Sequence, residues 1–302
     1  MRIFALVVTL LLHLSGLWSR LPAQAVSVIS SADTGTSTQA VAIRTTPTPP
    51  LPVQTGSAPL SLQATGAYAV DTQTGTVLYS QNANTPHPIA SITKLVTALV
   101  ILSRHKPDTT VTIPKLPTYQ TADQTLGFMQ GEKYTLQDLV DATLVYSADD
   151  GADAMALWDA GSIPKFAARM NAKMSEWGIH DAHFSNPSGL VDAGNGASPA
   201  AVAKIAELAM ASPVIRQAVG ESQGSITSAA DRTITFISTD DLLAGGQFYG
   251  IKTGYTQAAG ECFVGLTRIS GHEVITVVLG ANDRFGATVQ LTNWISQNWQ
   301  WL

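Results

Sequence analysis

Gly66-Ala67-Tyr68-Ala69-Val70-Asp71-Thr72-Gln73-Thr74-Gly75-Thr76-Val77-Leu78-Tyr79-Ser80 alternates around a polar centre, Asp71 to Gly75. That pattern reads as a β-hairpin. Just beyond it, residues 91 to 104 carry Leu95, Leu99 and Leu102 at helical spacing, which predicts a helix with an apolar face. Thr135 with Asp138 resembles a capping box opening a helical stretch from Leu136 to Tyr146. Further helices are expected near 149–159, 163–177 and 198–210. The pattern then switches to strands at 247–253, 261–269 and 273–280, and a last amphipathic helix is expected over 283–300. Strands at both ends with helices between them predict an α+β fold, an antiparallel sheet flanked by helices with an inserted helical lobe.

The 302 residues are 45% hydrophobic and 13% charged, a globular composition that suits one large domain or two small ones. A net charge of -5 leaves no basic footprint for nucleic acid. Cys262 is the single cysteine, so an internal disulfide and a Cys-rich metal site are excluded. It lies in the apolar run Glu261-Cys262-Phe263-Val264-Gly265-Leu266 and reads as a small buried hydrophobe.

The first 25 residues read as a signal peptide: Arg2, an apolar run over 3–17, and Ala23-Gln24-Ala25 as a cleavage site. The run is short for a membrane span of about 20 residues, although an uncleaved segment would hold the N-terminus at the membrane. Either way the remainder works outside the cytoplasm, secreted or associated with wall or membrane. Residues 26–62, rich in Ser, Thr and Pro, read as a linker. Residues 63–302 are then expected to form the folded domain.

Ser91-Ile92-Thr93-Lys94 is the first chemical element. Positions three apart share a helix face, so the Ser91 hydroxyl and the Lys94 amine can meet. A serine needs a base to become a nucleophile, and a lysine that gives up its own proton can serve. Alone, the tetrapeptide equally fits a capped helix with a solvated lysine. Lys252-Thr253-Gly254, on a predicted strand and followed by Tyr255, sets a cation beside a hydroxyl, a pair suited to a carboxylate. Gly254 leaves room for close backbone approach. Ser147-Ala148-Asp149 follows a predicted helix; its serine could relay a proton, or the triplet could simply cap the next helix.

The three elements together, in this order, resemble the signature of penicillin-binding proteins and class A β-lactamases. The chain is most similar to the low-molecular-weight, serine-type D-alanyl-D-alanine carboxypeptidases. The resemblance extends through Ala67 to Asp71, Phe166 to Asn171, His183-Phe184-Ser185-Asn186-Pro187-Ser188-Gly189-Leu190, Gly250 to Gly260 and Val278-Leu279-Gly280. It implies a β-lactamase/transpeptidase-like fold with Ser91 as acylated nucleophile, Lys94 as general base and Ser147 as proton shuttle. Lys252 and Thr253 would bind the terminal carboxylate, and the N–H groups of Ser91 and Tyr255 would form the oxyanion hole. The implied partners are a peptidoglycan stem peptide ending in D-Ala-D-Ala and β-lactam antibiotics as covalent inhibitors. No cofactor or metal is implied.

Asp149 departs from the pattern, since these proteins usually carry asparagine there. A carboxylate about 4 Å from Lys94 favours the ammonium by about 4 kcal/mol at an effective dielectric near 20. Reduced or altered turnover is therefore expected, unless Asp149 is protonated, turned away, or balanced by Lys252. Three other readings stay open: an endopeptidase acting on cross-links, a β-lactamase lacking the class A deacylation glutamate motif, and a non-catalytic peptidoglycan-binding homologue. His180 and His183 lack a third ligand at zinc-like spacing. Trp294, Trp299 and Trp301 are expected to pack the chain end against the sheet.

Overall fold

The structure, a computed structural model, describes residues 49–56, 58–121, 123–190 and 194–302. The signal segment 1–25 and the linker as far as residue 48 lie outside the described residues. The compact unit spans Pro50–Leu302.

In chain order it comprises β1 (Pro52–Gln54), β2 (Gly66–Asp71), β3 (Val77–Gln81), α1 (Thr93–Leu102) and α2 (Leu136–Asp141). Then come α3 (Asp149–Ala160), α4 (Ile163–Glu176), α5 (Pro199–Met210), α6 (Pro213–Val219), β4 (Gln223–Thr227) and β5 (Thr233–Ile237). The chain closes with β6 (Phe248–Thr256), β7 (Gly260–Ile269), β8 (His272–Ala281), α7 (Arg284–Asn298) and β9 (Trp299–Trp301). A short ladder pairing Thr110–Thr112 with Lys133–Thr135, three two-residue strands, two 3-10 turns and a π-turn complete the described elements.

The main sheet is antiparallel and five-stranded, in the order β6-β7-β8-β2-β3. The hairpin at the start of the domain thus completes a sheet begun by the last three long strands, as the α+β pattern predicts. Successive side chains of β2 serve opposite faces, as strand geometry requires. Ala67 and Ala69 join Leu78, Val274, Val278, Leu291 and Ile295 beneath α7. Val70 joins the larger core shared with α1, α5 and the helical lobe. The sheet therefore separates two cores, and its β6 edge faces the lobe.

Two expectations are corrected. The linker does not run to residue 62: Pro52–Gln54 pair antiparallel with Trp299–Trp301, and Leu62 is buried in the core under α7. The final helix stops at Asn298 rather than 300, because the tryptophan-bearing end becomes that strand. Trp301 stacks on His272 and donates from Nε1 to Asp71 Oδ2 at 2.5 Å, while Trp294 meets Tyr79 edge-on. Their packing role is as expected.

The Thr135–Asp138 capping box forms with both reciprocal bonds, worth about 1 kcal/mol. The helix it opens changes character, however. After Asp141 it widens into a π-turn over Ala142–Tyr146 and ends on Ser147 in the left-handed region, φ 72°. Such wide turns recur at functional sites, and here the turn delivers Ser147 to the cleft.

Candidate active site

Ser91 occupies a single 3-10 turn, Ala90–Ile92, that leads directly into α1. The turn is held unusually: Ala90 has a φ of 47°, a conformation that costs energy for a residue with a Cβ. Backbone touches it on both sides. A Cβ on Gly254 would lie 2.7 Å from the Ile89 carbonyl oxygen and 3.2 Å from the Ser91 nitrogen, and one on Gly189 would collide with the Ala90 carbonyl. Both glycines are needed for this approach.

Lys94 lies one turn beyond Ser91 and is wholly buried. Its Nζ stands 2.6 Å from Ser91 Oγ, 2.7 Å from Asp149 Oδ1 and 2.9 Å from the Ser188 carbonyl oxygen. Three ammonium hydrogens therefore find three acceptors. The Ser188 carbonyl was not legible as a partner from sequence. It arrives on a loop fastened to α1, where Thr97 Oγ1 donates to the Pro187 carbonyl at 2.7 Å and Asn195 Nδ2 to Thr93 Oγ1 at 3.2 Å.

Asp149 is neither turned away nor paired with Lys252. It faces Lys94 directly. Its second oxygen accepts the Gln124 N–H at 3.1 Å, and Gln124 Nε2 in turn donates to the Tyr146 carbonyl at 3.0 Å. Asp150, in the first turn of α3, accepts the N–H groups of Leu126, Gly127 and Phe128 with its carboxylate and so anchors the segment after Gln124. Ser147 lines the same cleft, and its hydroxyl makes no hydrogen bond among the described residues.

The opposite wall is β6. Lys252 is buried, and among the described residues its close acceptor is the Thr253 carbonyl at 3.3 Å. Burial first, and then the neighbouring Lys94 charge, push its amine well below the usual lysine range. Thr253 Oγ1 lies 2.5 Å from Thr239 Oγ1. Tyr255 is 63% exposed at the rim. Arg284, the first residue of α7, donates from Nη1 to the Gly254 carbonyl at 3.2 Å, and its buried Nε has no partner among the described residues. Arg284, Thr239 and Gln124 all line the cleft of about 210 Å³ that contains Ser91. Sequence reasoning missed all three, because each sits outside the motifs and reaches the site only through folding.

A roomier hollow of about 430 Å³ lies at His87, His180 and His183. It holds no paired nucleophile and base, so the chemistry belongs to the smaller cleft. His87 donates to the Ala259 carbonyl at 2.8 Å, a packing role. Cys262 is buried, and burial pushes its thiol up to about 11, which suits an inert core residue.

Behind Asp149, burial pushes Asp153 up to about 6 despite the hydrogen bond from Tyr119. The neutral acid is thus favoured on folding, so its stabilising contribution is complete below about pH 4 and is lost as pH rises through about 6. Asp153→Asn is expected to stabilise the protein by on the order of 2 kcal/mol at pH 8 and by almost nothing at pH 4. Urea unfolding at the two pH values checks this.

Comparison with known proteins agrees with this architecture. The family described as D-alanyl-D-alanine carboxypeptidase matches residues 53–283. The chain is 29% identical to the carboxypeptidase DacF of Bacillus subtilis over 77% of its own length, and spans 61% of that relative. It is 34% identical to the carboxypeptidase DacB2 of Mycobacterium tuberculosis, covering 69% of this chain and 72% of the relative. A D-alanyl-D-alanine endopeptidase of Escherichia coli is 28% identical, with 76% of each chain covered. The crystal structure of the Streptomyces K15 DD-transpeptidase superposes with a TM-score of 0.71 at 26% identity, covering 79% of this chain and 99% of that one. With this fold, and with a match over most of its length, the chain belongs to the D-alanyl-D-alanine carboxypeptidase family of low-molecular-weight penicillin-binding proteins.

Proposed function

We propose that the protein is a serine carboxypeptidase that removes the terminal D-alanine from peptidoglycan stem peptides ending in D-Ala-D-Ala. The observation that carries this reading is the 2.6 Å contact between Lys94 Nζ and Ser91 Oγ, beside a cleft lined on its far side by Thr253 and Gly254 of β6, the strand that carries the buried Lys252. Ser91 Oγ attacks the carbonyl of the penultimate D-alanine while neutral Lys94 accepts the hydroxyl proton. The tetrahedral oxyanion is held by the N–H groups of Ser91 and Tyr255, with Gly254 permitting the close approach. Collapse breaks the C–N bond. The departing amine takes a proton through Ser147, and water then cleaves the acyl-enzyme by the same proton route.

Lys252, Thr253 and Arg284 receive the substrate's terminal carboxylate. A carboxylate seated beside Lys252 restores the ammonium that burial disfavours, so substrate recognition and the charging of Lys252 are coupled. β-Lactams, which carry a comparable carboxylate and an acylating carbonyl, would trap Ser91. Export by the first 25 residues, cleaved or retained as a membrane tether, would place the enzyme outside the cytoplasm. Among the described residues, no helix is long and apolar enough to cross a membrane.

Released D-alanine from a synthetic pentapeptide tests the reading. Lys252→Met is expected to raise KM about tenfold to a hundredfold, the range for a lost hydrogen bond to a charged group. Unchanged KM would remove Lys252 from substrate binding. A second reading, cleavage of D-alanyl cross-links, is favoured by the similarity to the Escherichia coli endopeptidase. Release of monomers from cross-linked muropeptide dimers, faster than D-alanine release from the pentapeptide, would select it.

A further inference from the structure

We infer that Thr239 is a positioning residue for carboxylate recognition, acting through the hydroxyl of Thr253; this rests on the carboxypeptidase reading above. Thr239 lies outside every motif, on the connection between β5 and β6, yet it lines the catalytic cleft. Two bonds hold it across that cleft. Its backbone N–H donates to the Val145 carbonyl at 3.2 Å, in the π-turn that delivers Ser147. Its Oγ1 lies 2.5 Å from Thr253 Oγ1, on the strand that carries Lys252. Thr239 therefore ties the wall bearing Ser147 to the wall bearing the carboxylate site.

The chemistry of two touching hydroxyls explains why this matters. Each has one proton, and their shared hydrogen bond uses only one of the two. When Thr239 donates to Thr253, the Thr253 proton stays free to point at a ligand, and an oxygen that accepts one hydrogen bond becomes a stronger donor in another. Arg284, on the same wall, can only donate, and Lys252 does the same once a carboxylate has restored its ammonium. With a carboxylate bound the wall thus offers donors, and Thr239 turns the Thr253 hydroxyl, which could go either way, into a donor as well. A terminal carboxylate, which only accepts, fits it. A terminal amide, which brings hydrogens of its own, does not.

The test compares an N-acetylated tripeptide ending in D-Ala-D-Ala with its C-terminal amide on the full chain. Wild type is expected to prefer the acid. In Thr239→Val, which keeps the shape and removes the hydroxyl, the acid-over-amide preference in kcat/KM is expected to fall about fivefold to tenfold. The loss should be carried by KM, and Thr239→Ser should restore the preference to within about twofold of wild type. An equal loss on both peptides, or a loss in kcat alone, would assign Thr239 a merely structural role and overturn the inference. So would an unchanged preference in Thr239→Val, while Lys252→Met still raised KM; the carboxypeptidase reading would then stand without it. If wild type itself shows no acid preference, the carboxylate site and the inference fall together.

Discussion

Lys94→Met is expected to lower the rate of Ser91 acylation by roughly 10³-fold or more, the loss typical of removing a general base that acts together with its nucleophile. Lys94 Nζ is the nearest base to Ser91 Oγ, at 2.6 Å, and Lys252 makes no bond to Ser91. The same change strands Asp149, which is 2% exposed and would keep only the Gln124 N–H as a partner. Breaking a buried ion pair on one side costs about 3–5 kcal/mol, equivalent to a fall of about 10 °C in Tm for a unit of this size. Adding Asp149→Asn to Lys94→Met should recover most of that Tm and none of the activity. Thermal unfolding beside stopped-flow acylation separates the two effects. Acylation near the wild-type rate in Lys94→Met would remove lysine from the mechanism.

Asp149→Asn carries the second large effect, in the opposite direction. In the native site the carboxylate sits between two donors, the Lys94 ammonium and the Gln124 N–H. An amide has only one acceptor atom. With its oxygen on Lys94, its NH₂ would oppose the Gln124 N–H. With its oxygen on Gln124, its NH₂ would face Lys94 and find a partner only if the amine is neutral. The second arrangement favours a neutral Lys94 over the ammonium, and its one lone pair has only to exchange a weak amide hydrogen bond for the Ser91 proton. Removing the ion pair also removes an interaction of about 4 kcal/mol favouring the ammonium at an effective dielectric near 20. Allowing for partial compensation, acylation by benzylpenicillin at neutral pH should rise at least about tenfold. A rate identical to wild type would mean that the Asp149 carboxylate does not restrain Lys94 as a base.

The parts of the site that were legible in the sequence are those whose geometry is local. Ser91 and Lys94 meet because a helical turn brings positions three apart together, and the β2–β3 hairpin follows from alternation around a turn. The family-like motifs pointed to Ser147, which lines the cleft with Ser91, and to Lys252, buried on β6 next to the lining residue Thr253, although nothing local brings these segments together. What escaped was long-range or backbone-borne. The Ser188 carbonyl offers no side chain to read. Arg284 looks like an ordinary charge at a helix start, and becomes part of the site only because α7 begins beside Gly254. Pro52–Gln54 sits in a stretch with linker composition and is a strand solely because Trp299–Trp301 supplies its partner. Asp149 was conspicuous, but only the fold shows that its carboxylate points at Lys94 rather than away.

The most direct test of the account is the intact mass of residues 26–302 after exposure to benzylpenicillin, beside a Ser91→Ala control. The expected result is a mass increase of one antibiotic molecule, mapping to the peptide that contains Ser91 and absent from the control. An adduct that persists in Ser91→Ala, or no adduct and no antibiotic hydrolysis in the wild type, would contradict it.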